Sequence, residues 1–165
     1  MIVLGVDPGT AATGYGVVAR SDPGTHRLVE CGVIRPERSA PLASRLAVIH
    51  DEIAALITRH RPDWVAVEDV FVHHNVHSAL VLGHARGVVL LAAARAGVPL
   101  AEYNPREVKS AVAGTGAATK VQMQLMVQQL LRLKTPPEPA DAADGVAIAL
   151  THCLRQRTLR RAVVG

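Results

Sequence analysis

Four carboxylates in this sequence stand where acidic side chains can do chemistry: Asp7, Glu68, Asp141 and Asp144. Asp7 ends the apolar run Ile2 to Val6, and Glu68 ends a second such run, Trp64-Val65-Ala66-Val67. Ligand sites in open α/β sheets gather at the carboxyl ends of strands. Asp141 and Asp144 lie three residues apart in the first turn of an expected helix, so both project from one side of it. If that helix end meets the sheet edge, four negative charges converge, and their repulsion calls for divalent cations. Oxygen donors without accompanying His or Cys suit Mg²⁺ or Mn²⁺. Two such ions about 3.5–4 Å apart in one active site can activate water and stabilise a leaving oxygen in phosphodiester hydrolysis. Taken singly, three of the acids also have ordinary readings. Asp141 and Asp144 favour a helix N-terminus, and Asp7 shapes a turn. Glu68 lacks one, because an acid at the end of Val65-Ala66-Val67 serves neither cap nor turn.

Hydrophobic period supplies the elements that must place these residues. Ile2 to Val6 is a buried strand stopped by Asp7-Pro8-Gly9-Thr10, and Tyr15 to Ala19 and Leu28 to Ile34 extend it into an antiparallel meander. Leu42, Leu46, Ile49, Ile53, Leu56 and Ile57 then recur at helical spacing up to Arg61-Pro62. A strand over 63–68 follows this crossover and is expected parallel to the first, which puts Asp7 and Glu68 at one sheet edge. Residues 78–96 form a helix apolar on nearly all sides, expected to be largely buried. Val98 to Tyr103 is a fifth strand, and Asn104-Pro105 caps a short helix through Val112. Helices over 120–133 and from Asp141 to about Arg157 complete the chain. The fold class is α/β, a five-stranded mixed sheet flanked by helices.

The chain's 165 residues predict one domain over 1–165, and an apolar share of 49% is enough to bury a core and exclude disorder as the main state. A net charge of +4 favours a polyanionic partner. Cys31 and Cys153 are far apart and without metal-ligand spacing, which fits a reducing, cytoplasmic setting. The N-terminus has no basic n-region, and no stretch of about 18 residues is uninterruptedly apolar, so secretion and membrane spanning are not expected. Gly114 to Lys120 is not a Walker phosphate loop, since Thr119 replaces the needed glycine and Val121 the Ser or Thr.

Several segments, in order and at matching spacing, resemble the RuvC family of bacterial Holliday-junction resolvases. They are Gly5-Val6-Asp7-Pro8-Gly9-Thr10 with Thr13-Gly14-Tyr15-Gly16, and Val67-Glu68-Asp69-Val70-Phe71 with Asn75. Ser78-Ala79-Leu80 with Leu82-Gly83 and Ala85-Arg86-Gly87 follow, then Tyr103-Asn104-Pro105-Arg106-Glu107-Val108-Lys109 and Asp141-Ala142-Ala143-Asp144. The resemblance implies a ribonuclease H-like fold, a homodimer, and paired incisions across four-way junction DNA in recombination and repair. RuvA and RuvB, the branch-migration proteins, are the implied partners. The family's acidic tetrad falls on Asp7, Glu68, Asp141 and Asp144, and its basic residues near the scissile phosphate on Lys109 and Lys120. By the same resemblance, Phe71, the chain's one phenylalanine, is expected to stack on a base of an opened junction, although on its own it reads first as a cap on the core. His74, Asn75 and Arg86 are further expected DNA contacts.

His73, His74 and His77 could chelate Zn²⁺ on a helix, but nothing supplies the remaining ligands. Many family members carry Lys where His74 stands, so the cluster is read as a phosphate contact whose charge fades above about pH 6.5. Arg155, Arg157, Arg160 and Arg161 form a basic helix end, with a tail over residues 158–165 adding salt-sensitive attraction to DNA. The bare helix over 78–96, with Gly83 and Gly87 permitting close approach, is a candidate for part of the dimer interface, beside the alternative of ordinary packing onto the sheet. Two other classes were weighed. An ATPase of the actin and sugar-kinase type would need a second lobe that 165 residues do not provide. A junction binder without catalysis would gain nothing from four acids beside phosphates.

Overall fold

The structure is a computed structural model that describes residues 1–21, 24–69 and 76–164. Among these, five strands form one sheet in the order β3-β2-β1-β4-β5. β1 (Ile2–Asp7), β2 (Thr13–Arg20) and β3 (His26–Ile34) make the antiparallel meander. β4 (Trp64–Glu68) and β5 (Leu100–Tyr103) add in parallel beyond β1. The helices are α1 (Leu42–His60), α2 (Val76–Arg95), α3 (Pro105–Ala113), α4 (Lys120–Leu130) and α5 (Ala140–Val164).

Strand alternation divides the core in two. Leu4 and Val6 of β1 and Val65 and Val67 of β4 face α1 and α2, joining Ile49, Ile53, Val89 and Ala93. Val3 and Ala66 face the other way, toward α3, α4 and α5, with Val108, Val127, Val146 and Leu150. The period of two therefore turns Asp7 and Glu68 toward the α5 side, at the ends of strands paired Val6 to Val67. α5 crosses that face closely because four positions, Gly5, Gly14, Gly16 and Gly145, lack a side chain. A Cβ on Gly14 would strike the backbone oxygen of Asp141, and one on Gly145 would come within 2.5 Å of the Tyr15 Cα.

Most expected elements are present with ends shifted by one to three residues. The larger departures have physical reasons. α2 is not largely buried. Its all-round apolar sequence requires cover, but α1 shares its face of the sheet, and only Ala85, Val89, Ala92 and Ala93 are buried, with Val88 and Leu90 partly buried against the core. Val76, Leu80 and Leu91 are exposed. By length and a mean hydropathy of 1.5 alone, α2 could cross a membrane, although His77, Ser78, His84 and Arg86 interrupt its apolar run. In this fold it packs on α1 and carries Arg86, ion-paired to Asp69 and Glu102. Finally, the α5 backbone stays helical through Val164, so the expected basic tail continues the helix.

Candidate active site

Asp7 and Glu68 are brought together by sheet register alone. β1 and β4 run parallel and in step from Val3 with Trp64 to Val6 with Val67, so each strand delivers its carboxylate at the next position. The two carboxyls hydrogen-bond to each other, with Glu68 as the protonated partner. Burial, repulsion from Asp7 and their shared hydrogen bond push Glu68 up to about 8. Burial and the Asp144 charge push Asp7 up to about 6. A pair that holds a proton near neutral pH carries unneutralised charge in its ionised state, and a bound cation would relieve it.

The helix acids are arranged differently. Asp144 lines the same cavity as Asp7 and Glu68, a cleft of about 240 Å³ also walled by Pro105, Val108, Lys109, Lys120, Met123, Ala147 and Ile148. Lys120 Nζ stands 3.2 Å from Asp144 Oδ2, and this carboxylate raises the lysine above its ordinary range. Asp141, one turn earlier, does not line the cavity. It is paired instead with Arg35 at 3.6 Å, at the end of β3.

Both lysines owe their places to helix caps. Thr119, which spoils the Walker pattern, is the N-cap of α4: its hydroxyl accepts from the Gln122 N–H, and Lys120 becomes the first helical residue. Asn104 caps α3 with Glu107 in reciprocal bonds of 2.9 and 3.0 Å. Lys109 is the fifth residue of α3, so unlike Lys120 it gains nothing from exposed N–H groups at a helix start. It reaches the cavity because Val108 and Val112 bury against α5 and orient the helix.

The cavity can be tested for a metal. Among the described residues, no three carboxylate, imidazole or thiolate groups stand close enough to grip one ion as placed, with Asp141 turned to Arg35 and Asp144 to Lys120. The donor chemistry fits a hard divalent cation nonetheless. Three carboxylates line one cleft, the strand pair shares a proton for want of countercharge, and the described lining holds no imidazole or thiolate, its one sulfur being the Met123 thioether.

The other expected site residues divide. Phe71, His73, His74 and Asn75 lie outside the described residues. His77 is exposed on the first turn of α2. Arg86 is one-fifth exposed and paired with Asp69 and Glu102, so it ties α2 to the ends of β4 and β5 and does not present a free guanidinium. Sequence reasoning missed Arg35. Its signal was available: it directly follows β3, whose end pairs with Thr13 beside the β1–β2 turn.

Comparison with known proteins agrees with this architecture. The family model for crossover junction endodeoxyribonuclease RuvC matches residues 3–152. A crossover junction endodeoxyribonuclease RuvC of Pelotomaculum thermopropionicum is 49% identical over 152 residues, covering 92% of each chain. The Thermus thermophilus RuvC structure in complex with a Holliday junction substrate superposes with a TM-score of 0.91 at 41% identity, covering 96% of each chain. The yeast mitochondrial Holliday junction resolvase shares the fold alone, with a TM-score of 0.72 at 16% identity, covering 96% of this chain and 80% of that one. The fold is ribonuclease H-like, with the five-stranded mixed sheet expected from the sequence.

Proposed function

The chain belongs to the RuvC family of crossover junction endodeoxyribonucleases, and we propose that it resolves four-way DNA junctions by metal-dependent phosphodiester hydrolysis in the Asp7–Glu68–Asp144 cleft. The observation that carries this is the meeting of two adjacent strand carboxyls with a third acid and two lysines in one cleft of a basic protein. Asp7, Glu68 and Asp144 would hold Mg²⁺ or Mn²⁺, with Asp141 joining after leaving Arg35, and four carboxylates suit two ions. Bound ions of this kind supply Lewis acidity at a water and at the leaving oxygen.

The protein's own groups have separate tasks. Lys109 and Lys120 place positive charge against the scissile phosphate, and Lys120 becomes free to do so once Asp144 is otherwise engaged. The Glu68 carboxyl must give up its proton before the cleft is fully charged. Water oxygen joins phosphorus as the bond to the 3′ oxygen breaks, leaving a 5′-phosphate and a 3′-hydroxyl. Phe71 stacks on a base near the crossover, and His74 and Asn75 touch the backbone beside it.

Two symmetric cuts with one cleft per chain require two copies. The exposed stripe of α2, with Val76, Leu80 and Leu91 and open space over Gly83 and Gly87, is the surface on which we place the homodimer. RuvA and RuvB would deliver the junction, and the setting is the cytoplasm, with the DNA.

The test incubates labelled four-way junction and linear duplex with wild type and Glu68→Gln, with and without Mg²⁺ or Mn²⁺. Paired nicks on the junction alone, dependent on metal and lost in the variant, are expected. A junction bound but uncut with either metal would make the protein a binding module.

A further inference from the structure

The cleft joins two pieces, α3 with Lys109 and α5 with Asp144. One stripe of α5 runs between them. Asp144, Ile148, His152 and Arg155 follow at intervals of four, four and three residues, so they share a side of the helix. The first two line the cleft. The last two lie beyond it, against β5 and the start of α3. His152 is buried, with Nδ1 at 2.8 Å from Tyr103 Oη and its ring 4.7 Å from that of Trp64. The Arg155 guanidinium lies 5.3 Å from the Tyr103 ring centroid and donates to Glu107 Oε1 at 2.7 Å.

Each partner of Arg155 leads back to the cleft. Glu107 spends its other oxygen on the Asn104 N–H, closing the cap that starts α3 two residues before Lys109. Tyr103 is the register partner of Glu68 across β4 and β5, and its carbonyl accepts the Asp69 N–H at 2.8 Å. One guanidinium rooted on the helix of Asp144 thus touches both the cap of the helix of Lys109 and the strand neighbour of Glu68. The Glu107 carboxylate is held below its ordinary range by the Asn104 N–H and by Arg155, so the link stays charged at working pH.

We infer that Arg155 is a positioning residue: through Glu107 and Tyr103 it fixes α3 against α5, so that Lys109 and Asp144 face one phosphate. This rests on the placing of Lys109 at the scissile phosphate proposed above. An exposed ion pair does little for stability. A fork bonded to a cap and stacked over a ring restricts direction, which a lysine ammonium cannot reproduce.

The test is a double-mutant cycle read by single-turnover cutting of a four-way junction, with junction affinity measured in parallel. Arg155→Ala should slow cutting about tenfold, since misplacement by an ångström is enough for such a loss, and leave Kd within about twofold. Arg155→Lys should fall between. In a Lys109→Ala background, Arg155→Ala should slow cutting no further, because the residue it positions is gone. If Arg155→Ala proves poorly folded, Glu107→Gln keeps an oxygen for the cap, removes the charge, and should show the same non-additivity. Equal losses in both backgrounds, or full cutting by Arg155→Ala, would overturn the inference. Undiminished cutting by Lys109→Ala would remove the reading on which it rests, a result distinguishable from either.

Discussion

The strand acids and the helix acids reach the same sheet edge by different physics. Asp7 and Glu68 hang on adjacent parallel strands, half-buried, hydrogen-bonded to each other and raised into the neutral range by desolvation and mutual repulsion. Asp141 and Asp144 stand on the first turns of α5, their side chains 44% and 38% exposed, each beside a cation, Arg35 or Lys120. The Glu68 proton relieves the first pair, and arginine and lysine stand against the second. The strand pair is therefore the fixed half of the site and the helix pair the half that can be released, since exposed ion pairs contribute only about 0–1 kcal/mol.

The largest effect expected from breaking this division is at Glu68. Glu68→Gln should lower junction cutting by about 10³-fold or more, as loss of a principal electrostatic group does, and should raise the melting temperature of the metal-free protein. The second result sharpens the comparison, because replacing a helix acid should not stabilise.

The next largest concerns the seam. Gly145→Ala drives a Cβ into the Tyr15 backbone, and should cost about 1–3 kcal/mol in denaturant melts as overpacking does, with cutting reduced as α5 lifts from β2. The third is a pH dependence. Asp7 and Glu68 bind protons more tightly folded than unfolded, their values being raised to about 6 and about 8. Without divalent cations, the contribution of this pair to stability should therefore be fully present below about pH 4 and be lost, by on the order of a few kcal/mol, as pH climbs to about 8. Added Mg²⁺ should flatten that slope. Buried His152, pushed down to about 4 by desolvation and the Arg20 charge, acts oppositely, and its stabilisation is lost as pH falls from about 6.5 toward 4. Chemical denaturation across pH, with and without metal, separates the two. The smallest effect is at Arg35. Arg35→Ala should change stability by less than about 1 kcal/mol while tightening metal binding, because Asp141 loses its competing partner.

Much of this was legible in the sequence, for identifiable reasons. An acid terminating an apolar β-branched run announces both strand and site, which is why Asp7 and Glu68 stood out and why their shared edge followed from the crossover rule. Asn104-Pro105 announced the start of α3, and the capping box confirms it. What stayed hidden depends on partners distant in the chain. The α2 pattern calls for cover without saying whether the sheet or a second copy provides it. Nothing local to Asp141 points to Arg35, 106 positions earlier. Thr119 looked like a defect in a phosphate loop, though its hydroxyl caps α4 and sets Lys120. Glu107 and Arg155 meet only because α3 folds back over α5. The tight passage of α5 over the sheet needed Gly5, Gly14, Gly16 and Gly145 read together, and they lie on three different elements.

The most direct test of the central claim, that protonated strand acids form the fixed half of a cation site, is calorimetric titration of Mg²⁺ or Mn²⁺ into wild type and Glu68→Gln. It is run near pH 7 in two buffers of different ionisation enthalpy. Wild type should bind the cation and release about one proton, because Glu68 must ionise to become a ligand. Glu68→Gln should bind more weakly and release less than half as much. Equal affinity in both proteins, with no proton released by wild type, would contradict the account.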